Sequence, residues 1–293
     1  METRFNIIAA ILVVSGICNP VGASGPKANM VTPKVVNGDA VPDGKYKFVT
    51  AIQKVDIKEQ GIPTGHWCGA SLLSPNFILT AAHCMTDTNN DGQLEIMEAN
   101  LFRAVAGMTV YGKNQGQERR IDEIYVHPLY EEFGAGSAYD VAVLRLDRKV
   151  TGLPKVKLAK AGEDAPGIVA TVAGWGSIVA WYADYPEEYT PEPVFPLEMR
   201  AVDLPIIDDQ SCADIYKEGF GFDRNLQICT FLPARGDCQG DSGGPLFRKI
   251  NGRIVQVGIV SGGQGCADPS GPNLYTRVSS PAIREFIKSV ISP

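Results

Sequence analysis

Short apolar segments separated by turn residues set the strongest limit on what this chain can fold into. Ser71–Leu73, Phe77–Thr80, Arg103–Ala106, Val141–Leu146, Ile168–Ala173 and Val255–Val260 are each a few residues long, with Gly, Pro and Asn/Asp in the intervals. Runs of this length are too short for core helices but suit strands of roughly four to eight residues. The chain therefore reads as all-β. One segment departs from the pattern. In Ser280–Ile291, Ile283, Phe286, Ile287 and Val290 recur at helical spacing, and Pro281 suits a first turn, which predicts a C-terminal helix.

Chemistry concentrates in the run Gly236-Asp237-Cys238-Gln239-Gly240-Asp241-Ser242-Gly243-Gly244-Pro245. A serine hydroxyl is a poor nucleophile alone; it needs a base for its proton and donors for the oxyanion formed on attack. The surrounding glycines leave backbone amides uncovered by side chains. Upstream, Thr80-Ala81-Ala82-His83-Cys84 sets a histidine among small residues, and Asp140 heads the apolar run Val141–Leu146. The chain order is His, Asp, Ser. An α/β-hydrolase esterase would have the order Ser, Asp, His.

These motifs resemble those of trypsin-like serine proteases of the chymotrypsin family. So do Trp67-Cys68-Gly69-Ala70-Ser71-Leu72-Leu73, Val126-His127-Pro128, Ala173-Gly174-Trp175-Gly176 and Tyr275-Thr276-Arg277-Val278. The likeness runs from Val35 to the C-terminal helix. It implies two six-stranded antiparallel β-barrels within residues 35–293, meeting near Thr151–Lys160, with the active site between them. It also implies Ser242 as nucleophile, His83 as general base and then acid, and Asp140 as the group orienting His83. The amides of Gly240 and Ser242 would form the oxyanion hole. The disulfides implied are Cys68–Cys84, Cys212–Cys229 and Cys238–Cys266. Ser261 matches the segment that pairs with substrate backbone, followed here by Gly262 and Gly263 where the family usually has a tryptophan after the serine. An apolar wall of the cleft is thus expected to be missing.

The resemblance also implies a zymogen. Asp241 needs a cationic partner, and the family supplies the α-amino group made by cutting before an apolar pair. Lys34-Val35-Val36-Asn37-Gly38 offers such a site after Lys34. The specificity pocket departs from the pattern for cleavage after Arg or Lys. Gly236 stands where those members carry an aspartate, Asp237 is one residue closer to the cysteine, and Asn273 replaces a glycine on the facing wall. Asp237 is expected to meet a basic side chain, and Asn273 to narrow the pocket and bond with Asp237. An Asp237 turned away, with a smaller or uncharged preferred residue, is the alternative. A different class of reading is a catalytically silent homologue that binds a partner protein. Such homologues generally lose part of the triad, and this chain retains His83, Asp140 and Ser242.

The chain has 293 residues, 44% hydrophobic and 20% charged, which suits a sizeable core in one or two domains. Its net charge of −6 argues against nucleic acid as the main partner. Arg4 precedes an apolar run from Phe5 to Val14, and Val21-Gly22-Ala23 offers small residues for cleavage. Residues 1–23 thus read as a secretory signal, and 24–34 as a pro-segment. That run is too short for a stable membrane anchor. Cys18 leaves with the signal, and six cysteines remain, fitting an exported disulfide framework. A secreted monomer acting on proteins or peptides, open to protein inhibitors and needing no cofactor for catalysis, is expected. His127 reads as structural, and His66 as partly exposed.

Two insertions stand out. Ala180–Pro196 is acidic and rich in Pro and Tyr, a surface loop beside the cleft. The run from Asp87 to Glu98 matches the twelve-residue calcium loop, with side-chain oxygens at Asp87, Asn89 and Asp91 and the turn glycine at Gly92. Gln93 would offer its carbonyl, Glu95 a contact through water and Glu98 a bidentate carboxylate. A structural Ca2+ is the expectation, against an ordinary Asn/Asp/Gly turn.

Overall fold

The computed structural model describes residues 36, 38–55, 65–89, 92–113, 116–131, 137–182, 191–216 and 221–292. The signal and pro-segment, Lys34, Val35 and Asp91 lie outside the described residues. Six strands close a first barrel: β1 (Val49–Lys54), β2 (His66–Leu72), β3 (Phe77–Thr80), β4 (Phe102–Ala106), β5 (Gln117–Val126) and β6 (Ala142–Leu146), in the order β1-β2-β3-β6-β5-β4. Every pairing is antiparallel. Closure removes the exposed sheet edges that short strands would otherwise present.

A second sheet curls around six further strands: β7 (Val169–Gly174), β8 (Arg200–Pro205), β9 (Gln227–Thr230), β10 (Pro245–Ile250), β11 (Arg253–Gly263) and β12 (Asn273–Arg277). Their order is β8-β7-β10-β11-β12-β9, with two short strands, Asp39–Ala40 and Lys157–Leu158, added at β8 and β11. Each pairing repeats one of the first barrel, strand for strand. The one left over, between β8 and β9, is reduced to the bridge Ile206–Thr230 just past the end of β8. The duplication is thus plain in topology although no repeat is visible in the residues.

Both cores are built from strands buried at nearly every position, such as β1 and β9. Phe48, Ile52, Leu72, Ile78, Leu79 and Leu144 are fully buried in the first barrel region, and Leu204, Leu246, Val257 and Tyr275 in the second. Burying each such aliphatic side chain contributes about 1.5–3 kcal/mol. The barrels also share a polar contact: Ser71 Oγ on β2 donates to Gln256 Oε1 on β11 at 2.6 Å, both buried, and Gln256 Nε2 donates to the Gly258 carbonyl at 3.0 Å. Paired in this way, the two side chains escape the penalty of burying polar atoms unsatisfied.

The C-terminal helix spans Pro281–Ile291 with Pro281 in its first turn, and it buries Ile283 and Ile287. A second helix, Asp209–Ile215, was not evident in the sequence. Its N-cap Asp208 accepts from the Ser211 amide, and Cys212 ties it to β9 through Cys229. No helix among the described residues is long and apolar enough to cross a membrane.

Candidate active site

His83 follows β3 and is fixed by the Cys68–Cys84 disulfide, which ties the histidine turn to β2. Asp140 precedes β6, the strand paired with β3, so the sheet register brings the two together. His83 Nδ1 lies 2.8 Å from Asp140 Oδ2, and the His83 amide donates to Asp140 Oδ1 at 3.0 Å. Asp140 is 1% exposed, which alone would favour its neutral form. Against that burial stand the His83 imidazole, its hydrogen bonds and the Ser261 hydroxyl, and together they hold the carboxyl below its ordinary range. Ser261 Oγ donates to Asp140 Oδ2 at 2.6 Å. Ser261, expected only as a backbone partner for substrate, thus also secures the aspartate.

Ser242 comes from the second barrel, on the loop that leads into β10. Its carbonyl accepts from the Gly69 amide on β2 at 2.7 Å. Gly243, at φ +75°, packs so closely on Thr80 that a Cβ there would lie 2.0 Å from Thr80 Oγ1. Only glycine fits that conformation and that gap, and the contact seats the serine loop against the segment leading into His83. The amides of Asp241, Gly243 and Gly244 all bond to backbone carbonyls. Those of Gly240 and Ser242 donate to no protein acceptor among the described residues.

Asp241 is 1% exposed, and its carboxylate accepts from the amides of Gly176 at 2.8 Å and Cys238 at 3.1 Å. Burial, reinforced by the charge of Asp237, pushes it up to about 7. Val36 is buried in a cluster with Cys238, Cys266 and Ala267 on the same loop system, joined by the disulfide Cys238–Cys266.

A cavity of about 190 Å³ opens beside Ser242, lined by Asp237, Cys238, Gln239, Val260–Gly263 and Gly265–Cys266. Asp237 is 6% exposed, and burial pushes its carboxyl up to about 6, against the Tyr275 hydrogen bond that lowers it. The expected Asn273–Asp237 bond is not formed. Tyr275 on β12 donates to Asp237 instead, while Asn273 Nδ2 turns to Thr230 Oγ1 at 3.5 Å. Asn273 fills the room that the absent side chain of Gly236 leaves: a Cβ on Gly236 would lie 2.2 Å from Asn273 Oδ1. Gly262 and Gly263 line the cavity without side chains. Trp181 also lines the cavity, from a strand Trp181–Tyr182 paired with Gly265–Cys266. Its position at the head of the acidic insertion gave no sign of this.

His66 is 4% exposed rather than partly exposed, because β2 carries it inward against Tyr111 and Trp175. His127 stacks on Tyr139, next to Asp140, with ring centres 4.5 Å apart, and touches Phe286 of the C-terminal helix.

Cys68, His83 and Cys84 bring potential ligand atoms within 4.8 Å of one another, but the two sulfurs are joined as a disulfide and offer no thiolate. The run after His83 folds as a hairpin, Thr86–Thr88 paired with Leu94–Ile96, with no α-helix on either side among the described residues and only a short 3-10 turn at Ala99–Leu101 after it. The Asn89 carboxamide and the Gln93 carbonyl both accept backbone hydrogen bonds of the turn. Asp87 faces Glu95 directly across the pair, and Asn89 Nδ2 donates to Glu95 at 2.7 Å. Glu98 lies past the hairpin and lines a surface cleft with Arg103 and Glu118.

The family model described as Trypsin matches residues 35–287. A trypsin of Saccharopolyspora erythraea is 33% identical over 252 residues, covering 84% of this chain and 94% of that protein. Hypodermin-B of Hypoderma lineatum is 35% identical over 225 residues, covering 76% and 77%. A trypsin of Simulium vittatum is 32% identical over 275 residues, covering 92% and 98%. With a closed six-stranded barrel, a curled second one, a buried aspartate against a histidine, and a family model that matches most of its length, the chain belongs to the trypsin family of serine endopeptidases.

Proposed function

We propose that this endopeptidase is secreted as a zymogen, is activated by cleavage after Lys34, and cuts peptide bonds after Arg and Lys. The observation that carries the mechanism is the 2.8 Å contact of His83 with a buried Asp140, which is also bonded by Ser261, a residue that lines the same cavity as Ser242. Ser242 Oγ attacks the substrate carbonyl and its proton passes to His83 Nε2. Asp140 at Nδ1 stabilises the imidazolium that forms. The carbonyl oxygen becomes an oxyanion facing the amides of Gly240 and Ser242. His83 then protonates the leaving amine, leaving an acyl-enzyme that water hydrolyses by the reverse sequence. Ser261 and Gly263 border the substrate backbone.

Asp237 is the charge partner for the basic side chain. Its burial in the cavity beside Ser242 supports this, because a carboxylate there gains a charge-assisted hydrogen bond when a guanidinium or ammonium enters. Asp241 calls for a cation in the same way, and the α-amino group of Val35 would supply it; the buried Val36 on that loop system supports the reading. The three disulfides fit an oxidising, extracellular compartment. Protein inhibitors that insert a basic residue into the cavity would bind as substrates do, to a monomer. The 87–98 run is proposed to hold a structural Ca2+. Asp87 and Glu95, two carboxylates opposed across the hairpin, suit a hard cation, with Asn89, Asp91, Gln93 and Glu98 as the further oxygens the sequence offers.

Treatment of the activated enzyme with a fluorophosphonate tests the core of this reading. The expected result is a single adduct on Ser242 with loss of activity. Failure to label, with a folded protein, overturns it. Cleavage profiling on a peptide library then reads the pocket directly.

A further inference from the structure

His66 sits in a buried chain of hydrogen bonds whose direction is fixed throughout. Its Nε2 lies 2.8 Å from the Gly240 carbonyl, an acceptor only, so Nε2 carries the proton. A neutral imidazole has one N–H, and Nδ1 must then accept. It does so from the Tyr111 hydroxyl at 2.7 Å. The Tyr111 oxygen in turn receives a hydrogen bond from the side chain of Gln53, itself 3% exposed. Gln53 cannot turn its amide around, because its Oε1 accepts from Arg103 Nε at 2.7 Å. Donation therefore runs one way, from Arg103 through Gln53, Tyr111 and His66 to Gly240.

The last link matters because Gly240 has φ +91° and no Cβ to restrict it. Its carbonyl orientation, and with it the tilt of the amide on its other side, has to be held by a partner. His66 is that partner, and Trp175 packs edge-on against both His66 and Tyr111. Burial lowers His66 to about 4, with the Gly240 bond acting in the other direction, so the neutral ring the chain requires persists at working pH.

We propose that Tyr111, backed by Gln53 and Arg103, is a positioning residue for the oxyanion hole: it fixes His66 as the Nε2–H tautomer and so holds Gly240 with its amide aimed at the developing charge. This rests on the roles given above to Ser242 and Gly240. None of the three residues lines the cavity beside Ser242. Tyr111 itself is placed by the loop after β4, where Val110 bridges Glu198 and the Tyr111 amide donates to the Leu197 carbonyl.

The test compares activated wild type with Tyr111→Phe and Gln53→Leu. Losing an oxyanion donor outright lowers kcat by about a hundredfold or more, so loosening one should lower it about tenfold, with KM within roughly twofold. A peptide aldehyde, whose hemiacetal oxygen occupies the oxyanion site, should bind more weakly by the same factor as kcat. The matching peptide amide should bind as before. The double variant should lose no more than the worse single one, as expected within one network. Nitrogen NMR should show the Nε2–H tautomer of His66 in wild type and a mixture in Tyr111→Phe. Unchanged kcat in both variants, or a fall in kcat that the aldehyde does not follow, overturns the proposal. Should Tyr111→Phe fail to fold, Gln53→Leu carries the same readouts. Wild type that does not label at Ser242 brings down the site reading and this inference together; normal labelling with indifferent variants brings down this inference alone.

Discussion

Tyr275 donates its hydroxyl to the buried carboxylate of Asp237 at 2.5 Å, on the wall of the cavity beside Ser242. Burial raises Asp237 to about 6, and the tyrosine works against that rise. The charge that would recognise a basic substrate is then present above about pH 6 and lost below it. The ratio of kcat/KM for an Arg substrate to that for a neutral one should climb between about pH 5 and 7, while the ionisation of the triad cancels in the ratio. Tyr275→Phe removes a stabiliser of the charged form and should move the climb to higher pH. Asp237→Ser should lower turnover of Arg substrates roughly 10- to 100-fold, the worth of a charge-assisted hydrogen bond. A ratio flat with pH would show that Asp237 does not meet the substrate.

Ser242→Ala should lower kcat about a millionfold, since nucleophile and base act as a unit and losing either removes nearly all covalent catalysis. Its stability should stay within about 1 kcal/mol of wild type, because the hydroxyl faces the cavity and supports no core contact. Residual activity near wild type in a purified, fully substituted protein would end the assignment of the nucleophile.

The fold was legible in the sequence, and the candidate triad residues stood out there, for specific reasons. Strand segments such as Phe77–Thr80 are short apolar runs set off by turn residues, here Ser74-Pro75-Asn76, and the structure returns that segment unchanged. His83, Asp140 and Ser242 each sit in a local motif. What was missed lay in contacts between distant segments. Nothing near His66 announces Tyr111, 45 residues away, or the Gly240 carbonyl, 174 residues away. Asn273 was expected to pair with Asp237 because both face the pocket. Tyr275, two positions along the same strand and so on the same face, reaches Asp237 instead, and Asn273 fills the gap at Gly236. The helix Asp209–Ile215 is too short to show a hydrophobic period, and its cap and disulfide decide its place.

Asp241 would give the proposed activation step a pH signature. In the uncleaved chain its folded value, about 7, lies above the ordinary carboxylate range. A raised acid binds more protons folded than unfolded, so its contribution to stability falls as pH rises from about 4 to 7. In the cleaved enzyme the Val35 ammonium would reverse the sign: Asp241 would sit below its ordinary value, and its contribution would persist at neutral pH and be lost on acidification. The melting temperature of the cleaved form minus that of the Ser242→Ala precursor should therefore grow between pH 4 and about 7. Asp241→Asn should flatten that difference and abolish activity. A difference independent of pH, or N-terminal sequencing of active enzyme that does not begin at Val35, would refute the mechanism of activation.

Asp87 and Glu95 stand directly opposite each other on the hairpin that follows the histidine turn. Like charges paired in this way destabilise a hairpin, and a two-stranded ribbon is marginal by itself. The proposed calcium ion would sit between them, convert the repulsion into ligation and order the loop that begins three residues after Cys84. Millimolar calcium should raise the melting temperature relative to EDTA by several degrees, about 2–4 °C for each kcal/mol in a chain of this size. It should also slow proteolytic nicking within residues 89–93, while magnesium, which demands tighter octahedral geometry, should do much less. Asp87→Ala and Glu95→Ala should each remove the response. They should also raise stability in EDTA slightly, since each relieves the repulsion when no cation is bound. Equal melting temperatures in calcium and EDTA, with both alanine variants indistinguishable from wild type, would reduce the run to an ordinary turn.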